Sequence, residues 1–269
     1  MKWLLAPLLL LISFHTLAAT EQFVRYEMDG NTRYGKLVDN KIYPLDGDLF
    51  SNFKVTANSI DIDRVKLLIP VQPEKVFAVG MNFASHMSSP SNQPPPLFLK
   101  LPSSLLVSGE DIVPPADAKN VHFEGELVIV IGKEARDIPL GKSKEFIFGV
   151  TVGNDLTERS WQGRDLQWLR AKASDGFSPI AASITRGVNY ERALLTTRVN
   201  GKVVQQENTQ FMIHSVDKVV SYLSHYFTLK PGDLIFMGTP GRTFALKNND
   251  VVSVSIEGVG TVENTFTLR

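Results

Sequence analysis

Residues 121–132 read VHFEGELVIVIG and residues 146–155 read FIFGVTVGND. Both are nearly continuous apolar runs of strand length, and such runs suit strands buried on both faces of a sheet. KVFAVG, residues 75–80, has the same buried look. These three segments predict a β-dominated core. Around them, a hairpin is expected at Asn200-Gly201, a turn at Asn249-Asp250, and two closing strands about Gly258 and Gly260. Val216, Val219, Val220, Leu223 and Phe227 recur at helical spacing behind Ser215, a cap candidate, and residues 156–172 are also read as helix. Strands with a few helices between them give an α+β class that is mainly β.

Toward the N-terminus, short alternating runs are broken by Asp29-Gly30 and Asp39-Asn40, so residues 20–70 form a small β-rich unit. Prolines 70 and 73 then lead into the larger unit, residues 71–269. Residues 1–19, MKWLLAPLLLLISFHTLAA, carry one cation, an apolar run and a small-residue exit. That order is the pattern of a cleaved signal peptide, because the run is too short and too interrupted by Pro7 for a membrane span. The mature chain is therefore expected to be exported, with no stable membrane insertion.

The 269 residues include 28 Lys+Arg and 28 Asp+Glu, a formal net charge of zero. Nucleic-acid binding needs a cationic surplus to displace counterions, so that class of partner is excluded. The chain has no cysteine, which removes disulfides, thiolate zinc sites and cysteine nucleophiles.

Strand alternation places Glu124 and Glu126 on one face, about 6–7 Å apart, with His122 beside them. An isolated E-x-E pair is more often a solvated strand end. Here the strand runs on into LVIVI, so the two charges stand at the mouth of a buried element and a cation would relieve their repulsion. Asp155 ends the neighbouring apolar run. Three residues before Glu158, it also fits an N-cap with a reciprocal partner. Joined to Glu124 and Glu126, it completes an all-oxygen acidic set suited to Mg²⁺, Mn²⁺ or Ca²⁺ rather than zinc. Arg159 and Gln162 fall near the face of Asp155 at helical spacing. His86 sits at a strand exit before the irregular stretch MSSPSNQPPP, residues 87–96, where either a surface histidine or a base beside a mobile segment fits. Lys100 and Lys172, taken singly, read as solvated.

VGMNFASH (79–86), HFEGELVIVIG (122–132), GVTVGNDLTERSWQ (149–162), AKASDGFSP (171–179), PGDLIFMGTPG (231–241) and IEGVGTVEN (256–264) occur in this order. From about residue 70 to the end, this series resembles the fumarylacetoacetate hydrolase family. The resemblance implies a mixed β-roll, a homodimer, and a divalent ion held by Glu124, Glu126 and Asp155. It implies His86 as general base, Lys172 at the reacting centre, and Lys100, Arg159, Gln162 and Thr239 toward a small oxo-acid substrate. The implied chemistry is C–C hydrolysis or decarboxylation of 2-oxo or β-dicarbonyl acids, with isomerisation or hydration in some branches. One departure stands out. Many small members carry H-x-x-E in the lid, whereas here that glutamate is Ser89, and no Asp or Glu occurs between His86 and Glu110. A serine cannot stabilise an imidazolium as a carboxylate does. The departure shifts weight toward decarboxylation or tautomerisation, and leaves an exported, non-catalytic oxo-acid binder as the rival expectation.

Overall fold

The apolar runs 121–132 and 146–155 pair with each other within one large sheet. The structure, a computed structural model, describes residues 20–86 and 93–268. Residues 1–19, expected to be a signal peptide, and Ser89 lie outside the described residues.

A meander of β1 (Glu21–Met28), β2 (Asn31–Val38) and β3 (Lys41–Gly47) begins the described chain. Its turns need positive φ, and they are built from the residue types that tolerate it: Asp29 and Gly30 at 51° and 74°, Asp39 and Asn40 at 48° and 62°. Short strands β4 (Phe53–Val55), β5 (Ile60–Asp61) and β6 (Lys66–Leu68) edge this meander. β7 (Val76–Val79) and β8 (Leu97–Lys100) follow as an antiparallel pair, then β9 (Leu105–Val107).

Run 121–132 divides into β10 (Val121–His122) and β11 (Gly125–Ile131), and β11 pairs antiparallel with β12 (Ile147–Asn154), Glu126 opposite Gly153. The register is tight at Gly153, where a Cβ would stand 2.4 Å from the Phe236 ring. β13 (Thr157–Glu158) returns to pair with β10, ahead of α1 (Arg159–Gln162) and α2 (Leu169–Ala173). β14 (Ser178–Ile180), β15 (Ser183–Arg186), β16 (Leu194–Val199) and β17 (Lys202–Asn208) lead to α3 (Val216–Tyr226), and β18 (Leu234–Phe236), β19 (Asp250–Ile256) and β20 (Gly260–Phe266) close the fold.

The main sheet runs β4-β3-β2-β1-β15-β12-β11-β18-β7-β8, and a second sheet runs β17-β16-β19-β20. β18 lies parallel to β7 while β11 and β8 flank them antiparallel, so the sheet is mixed. Alternation along β11 divides the core. Leu127, Ile129 and Ile131 pack with Leu195, Val254, Val219 and Leu223 from the second sheet and α3. Val128 and Val130 face the other way, onto Phe23, Ile184 and Phe236. Both faces are covered, as an unbroken apolar run requires. Among the described residues, no helix is long and apolar enough to cross a membrane.

The helix expected over 156–172 is a correction. Only Arg159–Gln162 and Leu169–Ala173 are helical, because Thr157 and Glu158 are taken by the pairing with β10 and the chain turns at Gly163. Trp168 then enters α2 from the left-handed region at φ 56°. The capping partners are also reassigned. Glu158 itself is the N-cap, accepting from the Trp161 amide at 2.7 Å and the Asn120 amide at 2.8 Å, while the Asp155 carboxylate points to two lysines.

At α3 the cap is as expected, Ser215 accepting from Lys218 N at 3.2 Å. Asp217 adds a tie the sequence does not show, accepting from Gly141 N at 2.7 Å and from Ser143 Oγ at 2.6 Å. Burial opposes its ionisation, but these hydrogen bonds outweigh it and hold the carboxyl below its usual range. The stabilisation is present above the unfolded-state carboxylate pKa and is lost as pH falls through the lower folded-state value. Asp217→Asn should therefore lower stability by about 1–2 kcal/mol at neutral pH. Urea denaturation of the two proteins should show the gap closing in acid.

Candidate metal centre

Three strand ends converge at one point. Glu124 lies between β10 and β11, Glu126 is in β11, and Asp155 immediately follows β12. Their exposures are 3%, 1% and 1%, and one oxygen from each lies within 4.8 Å of the others. They are the one such group of three or more acidic, His or Cys side chains among the described residues. They floor a pocket of about 40 Å³ that is also lined by His86, Arg159, Gln162, Lys172 and Thr239, with Phe98 and Trp168 as an aromatic wall. A far larger cleft, about 520 Å³ around Arg186 and Tyr190, contains none of these residues. Chemistry, not size, marks the site.

The charges are unevenly matched. Lys172 Nζ lies 2.5 Å from both Glu124 Oε2 and Asp155 Oδ2, and Arg159 Nη2 also donates to Glu124. Burial raises the Glu124 pKa, but Lys172 and Arg159 overcome it and carry the carboxyl well below its usual range. Burial likewise disfavours the Lys172 ammonium, yet its two carboxylate contacts raise the pKa above the ordinary lysine value. Lys100 reaches Asp155 Oδ1 at 2.5 Å and the Lys172 carbonyl, and with only one carboxylate its burial wins and lowers its pKa. Among the described residues, Glu126 has no cation at hydrogen-bonding distance. It accepts from the Gly238 amide at 2.7 Å, and burial, followed by repulsion from Asp155 and Glu124, pushes its pKa well above the carboxylate range. A buried carboxylate beside two others, with one amide for partner, is a donor set that fits a divalent cation.

The pocket thus gathers eight of the nine site residues expected from sequence: Glu124, Glu126, Asp155, His86, Lys172, Arg159, Gln162 and Thr239. Lys100 is not on its surface; it sits 2% exposed behind Asp155. His122 is turned away, engaged by Thr243 Oγ1 and Asn120 Oδ1 at 2.9 Å each. Other contributors carry no sequence signal of their own. Thr157 Oγ1 donates to Glu124 at 3.0 Å. Gln205, from β17, accepts from Gly125 N at 3.3 Å and donates to Thr239 Oγ1 at 3.0 Å, joining the E-x-E strand to the Gly-Thr-Pro segment. Asn82 is fully buried; it donates to His214 O at 3.1 Å and Met237 O at 2.7 Å, and accepts from His214 N at 2.7 Å.

Residues 75–267 match the model of the fumarylacetoacetate (FAA) hydrolase C-terminal family. The chain belongs to the fumarylacetoacetate hydrolase family. Residues 22–70 match a second model, Rv2993c-like, N-terminal. An uncharacterized protein of Archaeoglobus fulgidus is 39% identical, over 83% of this chain and 89% of its own. The structure of 5-carboxymethyl-2-hydroxymuconate delta-isomerase from Mycobacterium smegmatis superposes with a TM-score of 0.87 at 34% identity, covering 92% of this chain and 100% of that one. A fumarylpyruvate hydrolase from Pseudomonas aeruginosa, in complex with Mn²⁺ and pyruvate, does so with a TM-score of 0.69 at 30% identity, covering 80% and 93%. Named relatives also include an oxaloacetate tautomerase and a bifunctional isomerase/decarboxylase. The family is one of enzymes acting on small molecules, by more than one reaction.

Asn82 ties the strand exit that bears His86 to the segment that bears Gly238, so its loss should be costly. Asn82→Ala strips partners from three buried backbone groups and should lower stability by about 3 kcal/mol or more. Asn82→Asp, which faces a carboxylate toward two carbonyls, should lose at least as much. Chemical denaturation of both variants checks the order.

Proposed function

We propose that this chain is a divalent-metal-dependent hydrolase or lyase that cleaves C–C bonds in 2-oxo or β-dicarbonyl acids, by acylpyruvate hydrolysis or oxaloacetate-type decarboxylation. The observation that carries the proposal is the convergence of three buried carboxylates of which one, Glu126, has no cation at hydrogen-bonding distance among the described residues. Glu124, Glu126 and Asp155 would hold Mg²⁺, Mn²⁺ or Ca²⁺, which when bound supplies a Lewis acid for adjacent oxo and carboxylate oxygens. A neighbouring structure named as a hydrolase complex with Mn²⁺ and pyruvate agrees in kind.

The chain's own side chains divide the remaining work. Arg159 and Gln162, joined to each other at 2.9 Å, together with Thr239, present donors to the substrate's carboxylate and oxo groups. Lys172 places an ammonium at the pocket wall, where it steadies negative charge developing on the substrate. Lys100 supplies countercharge to Asp155 from behind and does not reach the substrate. His86 Nδ1 rests on the Gly241 carbonyl at 2.5 Å, so Nε2 faces the pocket, 3.7 Å from Glu124 Oε1. There it can take a proton from water or deliver one to the substrate.

A second reading, tautomerisation or isomerisation without C–C cleavage, draws support from one observation: no acidic residue lies between His86 and Glu110 to share the histidine's proton. Proton transfer along an enol needs the base and the electron sink but no activated water.

With Mg²⁺ or Mn²⁺ added, the protein should consume acylpyruvates or oxaloacetate, followed by loss of enol absorbance and by product analysis. Glu126→Gln and Lys172→Met should each lower kcat/KM by on the order of a hundredfold or more. Glu126→Gln should also lose bound metal while keeping its fold. A metal-free wild-type protein, or a full panel left unchanged, would overturn the proposal; ketonisation without cleavage would select the second reading.

A further inference from the structure

Strand β17 sends a second polar side chain toward the site from outside the pocket lining. Glu207 accepts a hydrogen bond from Ser85 Oγ, on the residue before His86. Ser85 Oγ in turn accepts from Gly241 N at 3.0 Å, and Gly241 O holds His86 Nδ1 at 2.5 Å. Two hydrogen bonds and the backbone of Gly241 therefore link the second sheet to the peptide that holds the imidazole.

The direction of every bond in this path is set by valence. An ionised carboxylate only accepts, so the serine hydrogen points at Glu207 and a serine lone pair is left for the Gly241 amide. A carbonyl also only accepts, so the proton of the neutral imidazole lies on Nδ1 and the lone pair lies on Nε2, toward the pocket. Gly241 stands at φ 65°, and nothing lies within 4 Å of where its Cβ would be. Hydrogen bonds hold this glycine: its N–H on Ser85 Oγ, its carbonyl on His86 Nδ1, and the preceding Pro240 carbonyl on Gln205 Nε2 at 2.5 Å. No Asp or Glu occurs between His86 and Glu110, and the carboxylate on this path comes instead from a strand 121 residues further along.

We propose that Glu207 is a positioning residue for His86, acting through Ser85 and Gly241 to fix the tautomer and the direction of the imidazole. The proposal rests on the reading that His86 moves a proton at the site, but its test does not need a substrate. In ¹⁵N-labelled protein with Mg²⁺, long-range ¹H–¹⁵N correlation at a fixed pH of about 8 reports the tautomer of each neutral histidine. The His86 signal is assigned by its absence in His86→Asn. Wild type should show the Nδ1–H form. Glu207→Ala should show a mixture, Ser85→Ala the same mixture, and Glu207→Gln, whose amide oxygen still accepts, the wild-type form.

Where turnover is measurable, Glu207→Ala should lower kcat about tenfold, the weight of one net hydrogen bond. KM should stay within about twofold, metal content should be unchanged, and Glu207→Gln should restore the rate. A wild-type His86 spectrum in both Glu207→Ala and Ser85→Ala would overturn the proposal. So would equal loss in Glu207→Ala and Glu207→Gln accompanied by loss of metal, which would mark a purely structural role. Failure to turn over any substrate would leave the spectral result standing and would count against the proposed reaction alone.

Discussion

Three carboxylates within 4.8 Å of one another, at most 3% exposed, repel strongly in a medium that screens little. Much of the structure around them answers that repulsion. Lys172 bridges Glu124 and Asp155, Lys100 backs Asp155, Arg159 meets Glu124, and the Gly238 amide meets Glu126. These partners come from α2, β8, α1 and the turn after β18, so elements distant in sequence are tied to one point. The lysines are buried because the acids are buried. Neither charge would be tolerated there without the other.

The sheet makes such an arrangement possible. β11 and β12 are apolar on both faces, and this rigid centre carries Glu126 at one end of its register and delivers Asp155 just beyond the other strand's end. The second sheet then closes the site from the side with Gln205 and Glu207. Side chains placed on strands of a packed sheet keep their geometry better than side chains on loops, and metal ligands need that constancy. The polar network surrounding the site is correspondingly dense: Asn82 satisfies three backbone groups within it, and Thr157 adds one further donor to Glu124.

The relatives and neighbouring structures of this chain are named as a hydrolase, isomerases, a tautomerase and a decarboxylase alike. The differences between such reactions lie in how a proton is handled beside the same electron sink. Here His86 Nδ1 meets a backbone carbonyl, and the carboxylate linked to it through Gly241 and Ser85 stands three contacts away on β17.

The apolar runs about Val128 and Val150 were legible as buried strands because period and composition are local properties. Glu124 and Glu126 were legible as a pair for the same reason, since alternation along one strand needs no partner. The helix over 156–172 was misread because the pairing of Thr157 and Glu158 with Val121 and His122 is non-local and overrides helical spacing. Asp155 taken alone read first as a cap and, joined to Glu124 and Glu126, as a ligand; the arrival of Lys100 and Lys172 at its carboxylate sets the cap aside. Gln205, Asn82 and Glu207 were invisible as site residues, because a polar side chain on a strand looks the same whether it meets water or a buried amide. The sequence by itself determined the main strands, the class and the Glu124–Glu126 pair, all consequences of short-range pattern. Tertiary structure alone decided which cations face those acids and how His86 is held, because both depend on contacts between residues dozens to more than a hundred positions apart.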